Sequence, residues 1–229
     1  MRFLLHFFYF ILLSIAISPI TSWAGKIEDA VGQARQRPND ANSHLELGKA
    51  YFHSSQYQKA INAFKQVIRI EPDDYSAHYS TGASYAKMKR YRESIPHYTE
   101  AIRIKPGYVP AHNELGIIYS TLGQYEKAII SLKEAIRLEP NSKGAYYSLG
   151  LAYARNGQYQ EAVFSLKEEI RLQPNNSDAH YSLGFAYIKQ NRHREAIDSL
   201  KEAIRIKPDN QFAHHNLGFS YEKLGRTKK

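Results

Sequence analysis

Cysteine is absent from the 229 residues. That excludes disulfides, thiol chemistry and any Cys-based zinc site, so stability must come from packing alone. There is no glycine-rich phosphate loop, no nucleophile elbow and no His-Glu-x-x-His pair. Nothing therefore reads as an active site, and the expectation is a protein that is not an enzyme and takes no cofactor or metal. Beyond the N-terminal region there is no second apolar stretch long enough to span a membrane.

The N-terminus differs from the rest. Arg2 is followed by an apolar run, Phe3 to Ile17, interrupted only by His6 and Ser14. Ser22-Trp23-Ala24 then puts small residues at the −3 and −1 sites of a cleavage point before Gly25. This is the pattern of a secretory signal peptide over 1–24. The alternative is an uncleaved membrane anchor, which Ser18-Pro19 would interrupt. No cysteine follows the run, so a bacterial lipid anchor is not expected. Cleavage near Ala24 implies an exported chain, periplasmic or secreted. Its formal charge of +9 falls to +8 once Arg2 is removed, and nucleic acid is not the expected partner of an exported chain despite that charge.

What the sequence has in abundance is a fixed period. Gly48, Gly82, Gly116, Gly150, Gly184 and Gly218 are spaced evenly by 34, and so are Pro38, Pro72, Pro106, Pro140, Pro174 and Pro208. Three residues after each Gly stands Tyr51, Tyr85, Tyr119, Tyr153, Tyr187 or Tyr221. Further on come a small residue (Ala60, Ser94, Ala128, Ala162, Ala196), then a bulky one (Phe64, Tyr98, Leu132, Leu166, Leu200), then Val67, Ala101, Ala135, Glu169 and Ala203. A fixed period in this range signals stacked supersecondary units.

Taken together, these positions over 41–229 resemble the tetratricopeptide repeat (TPR). The resemblance implies an all-α, right-handed superhelical solenoid of antiparallel helix pairs. Two departures stand out. The family's Trp site is His44, His78, His112, His180 and His214 in five copies and Tyr146 in the sixth, and Glu169 replaces a small packing residue.

The physical reading stands beside the resemblance. In each first helix (A) and second helix (B), apolar residues recur at i, i+3, i+4 and i+7, one buried face apiece. A connection of about two residues makes the two helices antiparallel neighbours. Each Pro ends helix B. Asp73-Asp74, Asn141-Ser142, Asn175-Asn176-Ser177 and Asp209-Asn210 follow as acceptors for the free N–H groups of the next helix. The organisation expected is a single helix over 25–40, five repeats (41–74, 75–108, 109–142, 143–176, 177–210) and a capping half repeat over 211–229. Pro96 should kink its helix or shift its start. The five histidines share one repeat position, so successive ones lie about 10 Å apart, too far to share a metal ion.

Two surface features bear on function. On helix B, Arg69, Arg103, Arg137, Arg171 and Arg205 with Lys65, Lys133, Lys167 and Lys201 form a basic ridge, flanked by Glu100, Glu134, Glu168 and Glu202. It reads first as a solvated face and second as a contact for anionic envelope components. On helix A, positions three before, one after and four after each Gly lie roughly 80–140° from the buried stripe. They hold Tyr79, Ile117, Tyr147, Leu151, Tyr181, Phe185, Ile188 and Phe219. The resemblance places that stripe on a concave, peptide-binding groove, and an apolar patch rimmed by polar residues commonly marks an interaction site. No copy has Asn after the Gly, so a carboxylate clamp is not expected. The function expected is a protein-interaction scaffold for an extended or helical peptide. A homodimer whose groove is filled by its own copy, or a membrane-anchored scaffold, is the alternative.

Overall fold

The computed structural model describes residues 19–226; the apolar run Phe3 to Ile17 lies outside them, as do residues 227–229. The described residues form twelve α-helices and no strand. They fall into two compact units, 1–104 and 105–229. The first contains α1 (Pro19–Gln36), α2 (Ala41–His53), α3 (Tyr57–Ile70), α4 (Tyr75–Lys87) and α5 (Tyr91–Ile104). The second contains α6 (Val109–Thr121), α7 (Tyr125–Leu138), α8 (Ala145–Arg155), α9 (Tyr159–Leu172), α10 (Ser177–Lys189), α11 (His193–Ile206) and α12 (Gln211–Arg226).

Each hairpin closes on a glycine. A Cβ at Gly48 would lie 2.4 Å from the Phe64 ring, one at Gly116 2.5 Å from Leu132, and ones at Gly150 and Gly184 2.7 Å from Leu166 and Leu200. No side chain fits there, so the B-helix knob seats directly on the A-helix backbone. Gly82 is looser, 3.1 Å from Tyr98. All five knobs are buried. Full burial of such a side chain stabilises by about 1.5–3 kcal/mol, which outweighs the ~1 kcal/mol that glycine costs in a helix.

The connection inside each hairpin has three residues rather than two. Its middle residue is left-handed in all five: Ser55, Lys89, Gly123, Gly157 and Asn191, with φ between 59° and 78°. The next N–H then reaches back to the repeat's Tyr carbonyl, as Gln56 does to Tyr51 (2.8 Å) and Arg192 to Tyr187 (2.9 Å). This satisfies a C-terminal carbonyl of helix A.

Two helix starts bear on the sequence expectations. Pro96 lies inside α5, yet α5 begins at Tyr91, the repeat position at which α3 begins with Tyr57. The start is not shifted, and Pro96 is exposed, so its ring meets solvent and only its own backbone bond is lost. The first helix begins at Pro19 and runs through Ala24 and Gly25 rather than starting at 25. Nothing between them breaks a helix, and the Trp23 ring stacks on His53 with centroids 5.1 Å apart. Among the described residues no helix is long and apolar enough to cross a membrane.

Candidate functional site

The A helices carry the candidate face, so what fixes their N-termini fixes the face. The side chain of Asp74 accepts from the N–H of Ser76 (2.7 Å) and of Ala77 (3.0 Å). Asp40, Asn176 and Asn210 cap α2, α10 and α12 in the same way. Such a cap contributes about 1 kcal/mol.

The histidines make a second joint that the sequence did not disclose. Nε2 of His44, His78, His112, His180 and His214 lies 2.8–3.0 Å from the carbonyl oxygen of Pro38, Pro72, Pro106, Pro174 and Pro208 respectively. A carbonyl only accepts, so Nε2 carries the proton and donates. The signal was the fixed offset of six residues between Pro and His. Each imidazole thus pins the inter-repeat loop to the helix that follows it. Among the described residues no group of three His, Asp or Glu side chains is placed to hold a metal ion.

The α8 terminus departs from this plan. Asn141-Ser142, expected to cap it, does not; Gly144 occupies the cap with φ of 82° and no side-chain bond. Tyr146 stands where the others have His. The missing acceptor comes from Glu169 on α9, which is wholly buried. Its carboxylate accepts from the N–H groups of Gly144 (3.1 Å) and Tyr147 (3.3 Å) and from the amides of Gln173 and Asn176. The helix contact that Glu169 placed in doubt is therefore made in another currency, a hydrogen-bonded cap instead of an apolar seat.

The predicted face residues divide by position. Tyr79 belongs to the first unit, half-buried with its ring 5.6 Å from that of Tyr98. The other seven belong to the second unit. Tyr147, Tyr181 and Ile188 are half-buried and pack against the core formed by Leu166, Leu183, Leu200 and their neighbours. Burial pushes the Tyr147 phenol up, against the opposing effect of its hydrogen bond with Ser182. Of the residues just after each Gly, Ile117 and Phe219 are 36% and 37% exposed, while Leu151 and Phe185 are half-buried, as Tyr147 and Tyr181 are, but lie outside that core cluster. Lys189 and Lys223 place their ammonium groups 5.2 Å from the Phe185 and Phe219 ring centres, giving the open row a cationic edge.

The basic ridge is less basic than its sequence suggests. Arg137, Arg171 and Arg205 are each paired with the Glu three residues before, at 2.6–2.9 Å. One exposed feature lay outside the sequence expectation altogether. Ile130 and Phe164 share one outward position on α7 and α9 and are 69% and 67% exposed. The same column reads Asn62, Pro96 and Asp198 elsewhere, so the signal was a polar position turned apolar in two successive copies.

Comparison with known proteins agrees with this architecture. Family models described as TPR repeat match residues 48–89 and 186–225, and one described as tetratricopeptide repeat matches 85–152. A model described as anaphase-promoting complex, cyclosome, subunit 3 matches 121–203. The chain belongs to the tetratricopeptide-repeat family, and its fold is the all-α solenoid of that family. Among solved structures it is similar to YrrB, described as a TPR protein with an unusual peptide-binding site, at 22% identity and a TM-score of 0.74, covering 82% of this chain and 97% of that one. It is also similar to residues 41-end of MamA from Desulfovibrio magneticus RS-1, at 20% identity and a TM-score of 0.71, covering 75% and 97%. A second MamA crystal structure gives 23% identity and a TM-score of 0.70, covering 73% and 92%. No curated protein matches the chain.

Proposed function

We propose that the protein is a non-catalytic interaction scaffold whose second unit holds an extended or helical segment of a partner protein against its A helices. The observation that carries this is the open row Ile117, Leu151, Phe185 and Phe219. One apolar side chain per A helix, at one repeat position, is left outside the core cluster. The peptide-binding site in the description of YrrB supports the same use of this fold. Aromatic and aliphatic anchors at the centre of an interface cost about 2 kcal/mol or more each on truncation. Leu151→Ala with Phe185→Ala should therefore leave the melting temperature nearly unchanged and weaken capture of a partner from an envelope extract by at least ~30-fold. Unfolding of the double variant, with normal capture by its folded fraction, would make this row core and place binding elsewhere.

Self-association is the second reading, and α12 favours it. Phe212 on α12 is 73% exposed, an aromatic ring on the surface of a helix in the same unit as the face. Light scattering on the wild type and on Phe212→Ser separates a dimer from a monomer with a free face.

Export with cleavage near Ala24 completes the proposal and rests on the leader pattern. Retention of the leader as an anchor has one contact in its favour, since cleavage there removes Trp23 from His53 and from the Lys26 ammonium 4.5 Å above its ring. Mass spectrometry of the N-terminus decides: Gly25 supports export, whereas an intact Met1 in membranes establishes the anchor.

A further inference from the structure

The B-helix side of the second unit contains a cleft of about 610 Å³ between α7 and α9, floored by Tyr146, Leu149 and Tyr153 of α8. One wall is Lys133, Ile136 and Arg137, and the other includes Glu161 and the exposed Phe164. It lies away from the row of Leu151 and Phe185 and is independent of the function proposed for that row.

Comparison with the other layers explains why it is open. Lys65, Lys167 and Lys201 occupy the repeat position of Lys133, and each lies over the tyrosine of the following A helix, 5.8–6.0 Å from the centre of Tyr85, Tyr187 and Tyr221. Lys133 should close on Tyr153 in the same way. Among the described residues it makes no such contact, and both residues line the cleft instead. The neighbouring cations of the ridge are committed: Arg137, Arg171 and Arg205 to glutamates, Lys167 and Lys201 to rings. Lys133 is left without an ion-pair or ring partner among the described residues, above a floor of Tyr146, Leu149 and Tyr153 and across the cleft from Glu161. Tyr146 also replaces the histidine that ties down the loop in the other copies, so the floor carries a phenol ring here where it is imidazole elsewhere.

We infer that this cleft is a second docking site, for a segment of a partner protein that inserts one large apolar side chain between α7 and α9. An acidic residue beside that side chain pairs with Lys133. The inserted group exchanges water for Leu149, Tyr153 and Phe164, and the carboxylate supplies the partner that Tyr153 does not. An ion pair at such a rim sets orientation and choice of partner more than affinity.

The test uses the full chain and a displayed library of random twelve-residue peptides as probe. Selection against the wild type should enrich peptides carrying Phe, Leu or Trp next to Asp or Glu. Their binding should fall at least tenfold in Phe164→Ser, whose side chain is too exposed to matter for folding, and persist in Leu151→Ala with Phe185→Ala. Selection against Lys133→Glu should replace the acidic residue by Lys or Arg. Enriched peptides that ignore Phe164, or that keep their acid preference against Lys133→Glu, overturn the inference while leaving the proposed face untouched. A wild type that self-associates and becomes monomeric in Phe164→Ser also overturns it, because the occupant is then a second copy.

Discussion

Helices α8 and α10 are successive A helices of the same unit, and they start in opposite ways. The start of α10 is local: Asn176 caps the Ala179 N–H at 3.1 Å, and His180 donates to the Pro174 carbonyl at 2.9 Å. The start of α8 is borrowed: Gly144 and Tyr146 supply neither bond, and Glu169 of α9 reaches across to accept from Gly144 and Tyr147. Ala203 stands at the equivalent place on α11, fully buried and apolar. A repeat can thus fasten its helix from within the loop or from the next helix. The start of α6 also lacks a side-chain cap, yet it keeps His112 and the buried Ala135, so Glu169 answers the loss of both local bonds at α8 rather than of the cap alone.

That dependence gives a graded set of expectations. The largest is Ala203→Glu. It buries a carboxylate opposite the N-terminus of α10, which Asn176 already caps, so stability should fall by about 4 kcal/mol or more in urea titration. A loss below ~1 kcal/mol would show that either kind of cap accepts either residue. Glu169→Ala follows, leaving two backbone N–H groups and two amides without their acceptor, at about 2–4 kcal/mol. Adding Gly144→Asp to Glu169→Ala should recover part of that loss if capping is the cause, and none if the carboxylate merely fills space. Next is Gly144→Ala, at about 1–2 kcal/mol, because its φ of 82° puts a Cβ against the following carbonyl. The smallest is Arg137→Ala with Arg171→Ala. Both pairs are exposed, so the change should be below ~1 kcal/mol in total and shrink further with salt.

The sequence made the architecture legible because the same few positions are forced in every copy. A Cβ at Gly150 would clash with Leu166 at 2.7 Å, so neither drifts, and a 34-residue register survives however much the surface varies. The joints were less legible. The offset between Pro174 and His180 is visible in the chain, but the bond depends on which imidazole nitrogen turns toward the loop, and periodicity does not carry that. Glu169 read as a disturbance because its donors lie more than twenty residues away and belong to a different helix. On the candidate face, the sequence groups the positions three before, one after and four after each Gly as one stripe. Helical angle alone did not separate Leu151 and Phe185 from Tyr147 and Tyr181, since core packing between neighbouring A helices decides it. The cleft beside Phe164 escaped because only Ile130 and Phe164 are large and apolar in a column that reads Asn62, Pro96 and Asp198 elsewhere, too few copies for periodicity to show.

The histidine joint has a consequence for cutting and splicing the stack. Both partners of each bond lie six residues apart on one stretch of chain, as Pro174 and His180 do, so the fastening travels with its own repeat boundary. A 34-residue unit cut out whole takes its joint along and leaves the remaining joints with both partners.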